Sequence, residues 1–138
     1  MVALGLMPTS IRRCQHCRAE KPLEEFKGNK RGKDGHENTC RVCHRDYVRH
    51  KRQENKLYID ALKDKPCADC GQRFPPDCMD FDHVRGEKQL SVAYLTRTVV
   101  SKAAIEKEIS KCELVCSNCH RLRTQVRRQG WQKKADTW

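Results

Sequence analysis

The decisive stretch runs from Cys67-Ala68-Asp69-Cys70, through Met79-Asp80-Phe81-Asp82-His83, to Cys116-Ser117-Asn118-Cys119-His120. Its two cysteine pairs, each with two residues between the members, suit a tetrahedral zinc site of four thiolates. Between Cys70 and Cys116 lie 45 residues, so a shared ion would close them into a loop pinned at its neck. Asp82 and His83 sit inside that loop, and His120 follows directly on the last cysteine. Pinning would hold the end of a strand close to the first turn of the helix that follows. Three oxygen or nitrogen donors gathered there suit a second divalent cation with open positions for water.

Working outward, the amino-terminal part repeats the design. Cys14-x2-Cys17 and Cys40-x2-Cys43 are separated by 22 residues, a zinc-ribbon pattern. Between them Pro22-Leu23-Glu24-Glu25-Phe26 reads as a short apolar anchor. Lys27-Gly28-Asn29-Lys30-Arg31-Gly32-Lys33-Asp34-Gly35 reads as a flexible basic loop. His16 and His44 adjoin knuckle cysteines and offer alternative ligands, although each cysteine quartet already suffices.

The composition agrees with a metal-held fold. With 138 residues, 37% apolar content and a mean hydropathy of -0.90, the chain has little material for a large core. Eight of its ten cysteines fall into the four pairs, which favours zinc over a disulfide framework. The opening Met1 to Met7 lacks a basic lead-in and breaks at Pro8, so it does not read as an export signal. No stretch approaches membrane-spanning length. The formal net charge of +11 remains strongly basic after correction for eight thiolates and two zinc ions, and it implies a polyanionic partner.

From His44 to Lys65 no proline or glycine interrupts a run of helix formers, so a linking helix is expected, with a polar middle from Arg49 to Lys56 that spans solvent. Met79 to Val84 alternates as a strand. Residues 89–100 carry no clear pattern. Ser101 to Cys112 is expected to be a helix with Ile105, Ile109 and Cys112 on one face. Leu114 and Val115 form a return strand, and a last helix runs from Ser117 or Asn118 to Gly130. On that helix His120, Arg123, Thr124 and Arg127 share a face, opposite Cys119, Leu122 and Val126. Guanidinium forks suit phosphate oxygens.

The combination Cys-x2-Cys, Asp-His-Val, Cys-x2-Cys-His-Arg-x2-Thr, covering about residues 66–128, resembles the HNH endonucleases of the ββα-metal (His-Me finger) superfamily, in the zinc-stabilised form of phages and mobile elements. The resemblance implies a small α+β fold. It consists of a zinc ribbon (1–48), a linking helix (49–65), a ββα-metal nuclease module held by a four-cysteine zinc site (66–130) and a tail (131–138). It implies hydrolysis of DNA phosphodiesters, by nicking or double-strand cutting, to a 5′-phosphate and a 3′-hydroxyl. His83 would be the general base, because an imidazole exchanges protons near neutral pH. Asp82 and His120 would hold a catalytic magnesium, manganese or other transition-metal ion.

Structural zinc would take Cys14, Cys17, Cys40 and Cys43, and Cys67, Cys70, Cys116 and Cys119. Nucleic acid would be gripped by Lys30, Arg31, Arg121, Arg123, Arg127 and Arg128. Asp80 is either a further ligand or a solvated acid, and strict alternation aims His83 away from Asp82 unless the strand ends or twists there. The family's central Asn has no counterpart, its register falling on Lys111 or Cys112. Thr124 replaces a second helix ligand, so water would complete the metal shell.

DNA is the expected partner, with RNA open, a phage terminase as a candidate protein partner and no membrane. The expected setting is the reducing cytoplasm of a bacterium or phage-infected host. The alternative is a non-catalytic double zinc-ribbon regulator, or a packaging adaptor. Either way, the basic loop predicts that nucleic-acid binding weakens steeply between low and high salt, through counterion release. Titration of the protein into labelled duplex at several salt concentrations checks this.

Overall fold

The computed structural model describes residues 10–32 and 34–135, with side chains as far as residue 130. The apolar opening Met1 to Met7, Lys33 of the basic loop and the last three residues of the expected tail lie outside the described residues. Two compact units share the chain, divided after His50.

In the first unit, β1 (Ile11–Arg13) pairs antiparallel with β2 (Glu20–Pro22), and β3 (Phe26–Gly28) with β4 (His36–Cys40). A single 3-10 turn at Leu23–Glu25 leads into Phe26, which is buried against Cys14, Cys40 and Cys43. The basic loop is a tight turn built on Asn29. Its carbonyl accepts from the Gly32 N–H, its Oδ1 accepts from the Arg31 N–H, and its own N–H donates to the Gly35 carbonyl. A Cβ at Gly32 would stand 2.4 Å from the His36 carbonyl oxygen, so the close approach of two backbone segments requires glycine. Arg12 ties the turn down, its guanidinium donating to Asp34, Asn38 and the carbonyls of His36 and Glu37 while lying 5.9 Å from the Phe26 ring centroid.

Helix α1 spans Arg41–Leu62, beginning and ending three residues earlier than its composition suggested. It starts where β4 ends because Cys40 and Cys43 must face one point. It stops because the N–H groups of Lys63 and Asp64 turn to the Asp60 and Ala61 carbonyls, and because Pro66 disfavours helix in the residue before it. Nor does its later half span solvent. Asn55 and Ile59, one turn apart, are 3% and 1% exposed, and the Asn55 amide donates to the Thr98 and Val100 carbonyls at 3.3 Å each.

The second unit is built on one hairpin. β5 (Met79–His83) pairs with β6 (Cys112–Cys116) in antiparallel register, Met79 opposite Cys116 and His83 opposite Cys112. Between the strands lie α2 (Val92–Leu95), in the stretch without a sequence pattern, and α3 (Lys102–Ile109). Each is capped by a serine: Ser91 Oγ accepts from the Tyr94 N–H, and Ser101 Oγ from the Ala104 N–H. Val92, Leu95 and Ile105 bury against Ile59, with Phe81, Ile109 and Cys112 packed on that cluster. α3 ends at Ile109 rather than reaching Cys112, because Cys112 pairs with His83. α4 follows β6 directly as Ser117–Ala135. It continues past Gly130 since an isolated glycine costs about 1 kcal/mol but does not stop a helix flanked by good formers.

Both units close on a cysteine quartet, and the two quartets share one plan. The N–H of Arg18 donates to the Cys14 carbonyl and that of Gly71 to the Cys67 carbonyl, each at 2.9 Å. Both residues lie in the left-handed region, at φ 63° and 70°, a conformation that comes without strain at Gly71 only. The second pair of each quartet has one cysteine ending a strand, Cys40 or Cys116, and one in the first turn of the following helix, Cys43 or Cys119. In each quartet the four sulfurs lie within 4.8 Å of one another.

Burial alone would push the thiols of Cys14 and Cys67 up. Donation from the backbone N–H groups of Cys40, Cys17 and His16 to Cys14, and of Cys70, Cys116 and Asp69 to Cys67, outweighs it and brings both down to about 6. Four thiolates at this spacing repel one another unless a cation lies between them, so the donor set fits a zinc ion. The chain is thus a small α+β protein with short hairpins and two four-cysteine clusters that can hold structural metal ions such as zinc. Among the described residues no helix is long and apolar enough to cross a membrane.

Native mass spectrometry is expected to find two zinc ions per chain, and one in Cys67→Ser. That variant is expected to lose hydrogen-exchange protection across β5, β6 and the start of α4, with β1 to β4 unchanged.

Candidate functional site

Alternation along β5 sorts its side chains by charge. Asp80 and Asp82 face α4 together with Glu113 of β6, while Phe81 and His83 face α3. β5 ends at His83, which still pairs in register with Cys112, so alternation holds to the strand's last residue and His83 stays on the face opposite Asp82. The two are united by the strand's edge instead. A cleft of about 460 Å³ is lined by Asp80, Phe81, Asp82, His83, Lys88, Ser91, Val92, Ala93, Thr96, His120 and Arg127, with Ile59 and Lys63 of the segment entering the unit. No residue of β6 lines it, so it runs along the edge of β5 that β6 leaves unpaired, where side chains from both faces reach.

On the α4 face, His120 lies between two carboxylates. Its Nδ1 is 3.1 Å from Asp80 Oδ2 and its Nε2 is 3.5 Å from Asp82 Oδ1. A carboxylate on Nδ1 favours the proton there and leaves the Nε2 lone pair toward Asp82, the arrangement that orients a metal-binding imidazole. The separation of His120 Nε2 and Asp82 Oδ1 is close to the roughly 3 to 3.5 Å between two ligands of one ion, but Oδ1 also accepts from Arg127 Nη1 at 2.8 Å. Asp80, whose side chain is 42% exposed, is partnered by the His120 ring. Among the described residues the two cysteine quartets are the groups of three or more metal-capable donors that converge.

Asp82 is nearly sealed, its side chain 4% exposed, and its charge is met by arginines. Arg127 donates Nη1 to Oδ1 at 2.8 Å and Nη2 to Oδ2 at 2.7 Å, and Arg123 donates Nη1 to Oδ2 at 3.0 Å. Arg127, then Arg123, hold the Asp82 carboxyl down to about 2 against the opposing effect of burial. Arg123 also bonds Asp69 through Nε and Nη2 and Glu113 through Nη2. The stripe expected to grip phosphate is therefore turned inward onto carboxylates. Arg121 and Arg128, exposed beside Thr124 in a second hollow of about 580 Å³ with Asp80 and His120, have no carboxylate partner among the described residues. The same holds for the exposed Lys30 and Arg31. Thr124 Oγ1 donates to the His120 carbonyl at 2.9 Å.

On the other face, His83 Nε2 lies 2.8 Å from Glu108 Oε1. Glu108 is 4% exposed. Burial alone would raise its carboxyl, but Lys111, His83 and the N–H groups of Leu90 and Gln89 overcome this and take it to about 2. An ionised carboxylate only accepts, so Nε2–H donates to it and the lone pair rests on Nδ1. Sequence reasoning missed Glu108 and Glu113, and met Lys111 only as a register position for the absent Asn. The signal for Glu108 was present: it falls at i+3 from Ile105 and i−4 from Cys112, an acid in the apolar stripe of α3, and a buried acid needs a partner. No comparable signal marks Glu113, whose role emerges only from the β5–β6 register.

Arg123→Ala is expected to destabilise the protein by roughly 2 to 3 kcal/mol. That is below the full cost of orphaning a buried charge, because Arg127 remains and Asp69 and Glu113 are more than a third exposed. The Asp82 carboxyl is lowered from 3.8 to about 2 on folding. Its stabilising contribution is therefore complete above about pH 4 and is lost as pH falls through 2. The stability difference between wild type and Asp82→Asn is accordingly expected to be flat from neutrality to about pH 4 and to shrink below it. Denaturant unfolding of both proteins gives this difference, from which the thiolate protonation common to both cancels.

Comparison with protein-family models, with curated proteins and with solved structures gives no match to this chain.

Proposed function

We propose that the chain is a metal-dependent endonuclease of the HNH, ββα-metal type, with β5, β6 and α4 as its catalytic module and DNA as its substrate. One observation carries the reading: His83, Asp82 and His120 line a single cleft along the free edge of β5, with Lys88 and Arg127 beside them as cations for a phosphodiester. His83 accepts the proton of the attacking water at Nδ1. Glu108 fixes the ring through Nε2 and offsets the positive charge that the proton brings. In this chain Glu108 would take the place of the family's central Asn, holding the base by a side-chain bond from α3, with Lys111 Nζ donating to its other oxygen. A divalent cation at Asp82 and His120 would supply charge stabilisation at the leaving oxygen. Products are a 5′-phosphate and a 3′-hydroxyl.

Arg121, Arg128, Lys30 and Arg31, exposed and without carboxylate partners, are the contacts proposed for the nucleic-acid backbone, sequence-independent in kind. Such an enzyme would work in the cytoplasm of a bacterium or phage-infected host, where a phage terminase fits as a partner that presents DNA.

A second reading has its own observation. Both oxygens of Asp82 are closed by guanidiniums, as expected of a non-catalytic zinc module that only binds nucleic acid. Supercoiled plasmid with magnesium or manganese separates the two. Wild type is expected to nick or linearise it, His83→Ala to be slower by roughly 100-fold or more, and Glu108→Gln by about 10- to 100-fold. Intact plasmid with wild type under every divalent ion, with binding retained, favours the module without catalysis.

A further inference from the structure

Asp82 cannot hold a cation in the arrangement described, because Arg127 Nη1 already stands 2.8 Å from Oδ1, the oxygen that faces His120 Nε2. One guanidinium must leave, and the two differ in their freedom to do so. Arg123 is 19% exposed and bonds three carboxylates, whereas Arg127 is 51% exposed and bonds Asp82 alone among the described residues. Removing Arg123 would strand Asp69 and Glu113 as well, while Arg127 sits near the mouth of the cleft on a flexible stem. A buried carboxylate needs a positive neighbour at all times, and Arg127 or a divalent ion can each provide it. Once displaced, Arg127 carries an unpaired charge at the rim of a cleft in which phosphate would lie.

From this arrangement we infer that Arg127 is an exchangeable counter-ion. It guards Asp82 until a phosphodiester takes it away, so that divalent cation and nucleic acid bind with positive coupling. The inference rests on the nuclease reading of the same site, and it adds the order and energetic linkage of assembly. Phosphate draws Arg127 off Asp82, Oδ1 opens toward His120, and the cation replaces the lost charge. Coupling of this kind is reciprocal: the factor by which duplex tightens the cation must equal the factor by which the cation tightens duplex.

The test uses zinc-loaded full-length protein in a His83→Ala background, in which turnover of the duplex is slowed. Manganese binding is followed by the loss of the free-ion electron paramagnetic resonance signal, with and without a short DNA duplex, and Asp82→Asn defines binding elsewhere. Duplex is expected to tighten manganese binding at Asp82 roughly tenfold, and manganese to tighten duplex binding by the same factor. Arg127→Gln is expected to bind manganese several-fold tighter without duplex and to lose the coupling. Arg127→Lys, which keeps the charge but not the fork, is expected to fall between.

Equal manganese affinity in wild type and both variants, unaffected by duplex, overturns the exchange and leaves the cation site standing. Absence of any manganese binding sensitive to Asp82→Asn, with or without duplex, overturns the cation site and the exchange together.

Discussion

Four sulfur atoms drawn to one point set the geometry of everything else in the second unit. Cys67 and Cys70 come from a knuckle far along the chain from Cys116, which ends β6, and Cys119, which sits in the first turn of α4. Because strand and helix are joined at Ser117 with no linker, fixing both cysteines fixes the angle at which α4 leaves the sheet. That angle aims the stripe of His120, Arg123 and Arg127 at the acids of β5 and β6. The apolar clusters are too small to impose this alone: Met79, Val115 and two cysteines form one, and Ile59, Val92, Leu95 and Ile105 the other. A metal bound only in the folded state would add its binding free energy to that limited burial.

Given that frame, the buried charges behave as two separate solutions to one problem. Asp82 and Glu108 are each almost fully enclosed, lie on opposite sides of the hairpin, and are each satisfied by cations and hydrogen-bond donors from a different helix or loop. Among the described residues no buried side-chain nitrogen or oxygen lacks a partner. Two satisfied networks flanking a strand edge with no strand neighbour is a costly design for stability alone, since apolar side chains would fill the same volume without desolvating charge. Under the proposed function that edge is where substrate binds, with an imidazole presented from one side and a carboxylate with a second imidazole from the other.

Much of this was legible in the residues. The four pairs spaced by two residues gave both quartets, and alternation in Met79 to His83 gave β5 and its charged face. The 100° periodicity of α4 placed His120, Arg123 and Arg127 together. What failed to show was whatever depends on pairing across the chain. The partner of a guanidinium cannot be read from helical phase, so nothing in the sequence showed that Arg123 and Arg127 bond carboxylates of β5, β6 and the Cys67 knuckle. Helix ends were misjudged wherever a knuckle or a ladder partner overrode local preference, at Arg41, at Leu62 and at Ile109. Asn55 looked like part of a solvated face, because nothing in a polar run announces that two backbone carbonyls elsewhere need donors.

The repeated plan of the two quartets sharpens the distinction between metal architecture and chemistry. Each second knuckle ends in Cys-His, as Cys43-His44 and as Cys119-His120, and each histidine opens a helix just after a strand. His44 is exposed and, among the described residues, has no carboxylate opposite it, whereas His120 stands between Asp80 and Asp82. The difference lies in what each quartet encloses. Twenty-two residues between the knuckles of the first unit make hairpins and a basic turn. The 45 residues of the second add an acid-bearing strand and the helix that carries Glu108. A Cys-His doublet after a strand is thus only a scaffold position, and it gains chemical meaning when the loop it closes is long enough to bring carboxylates in front of the imidazole.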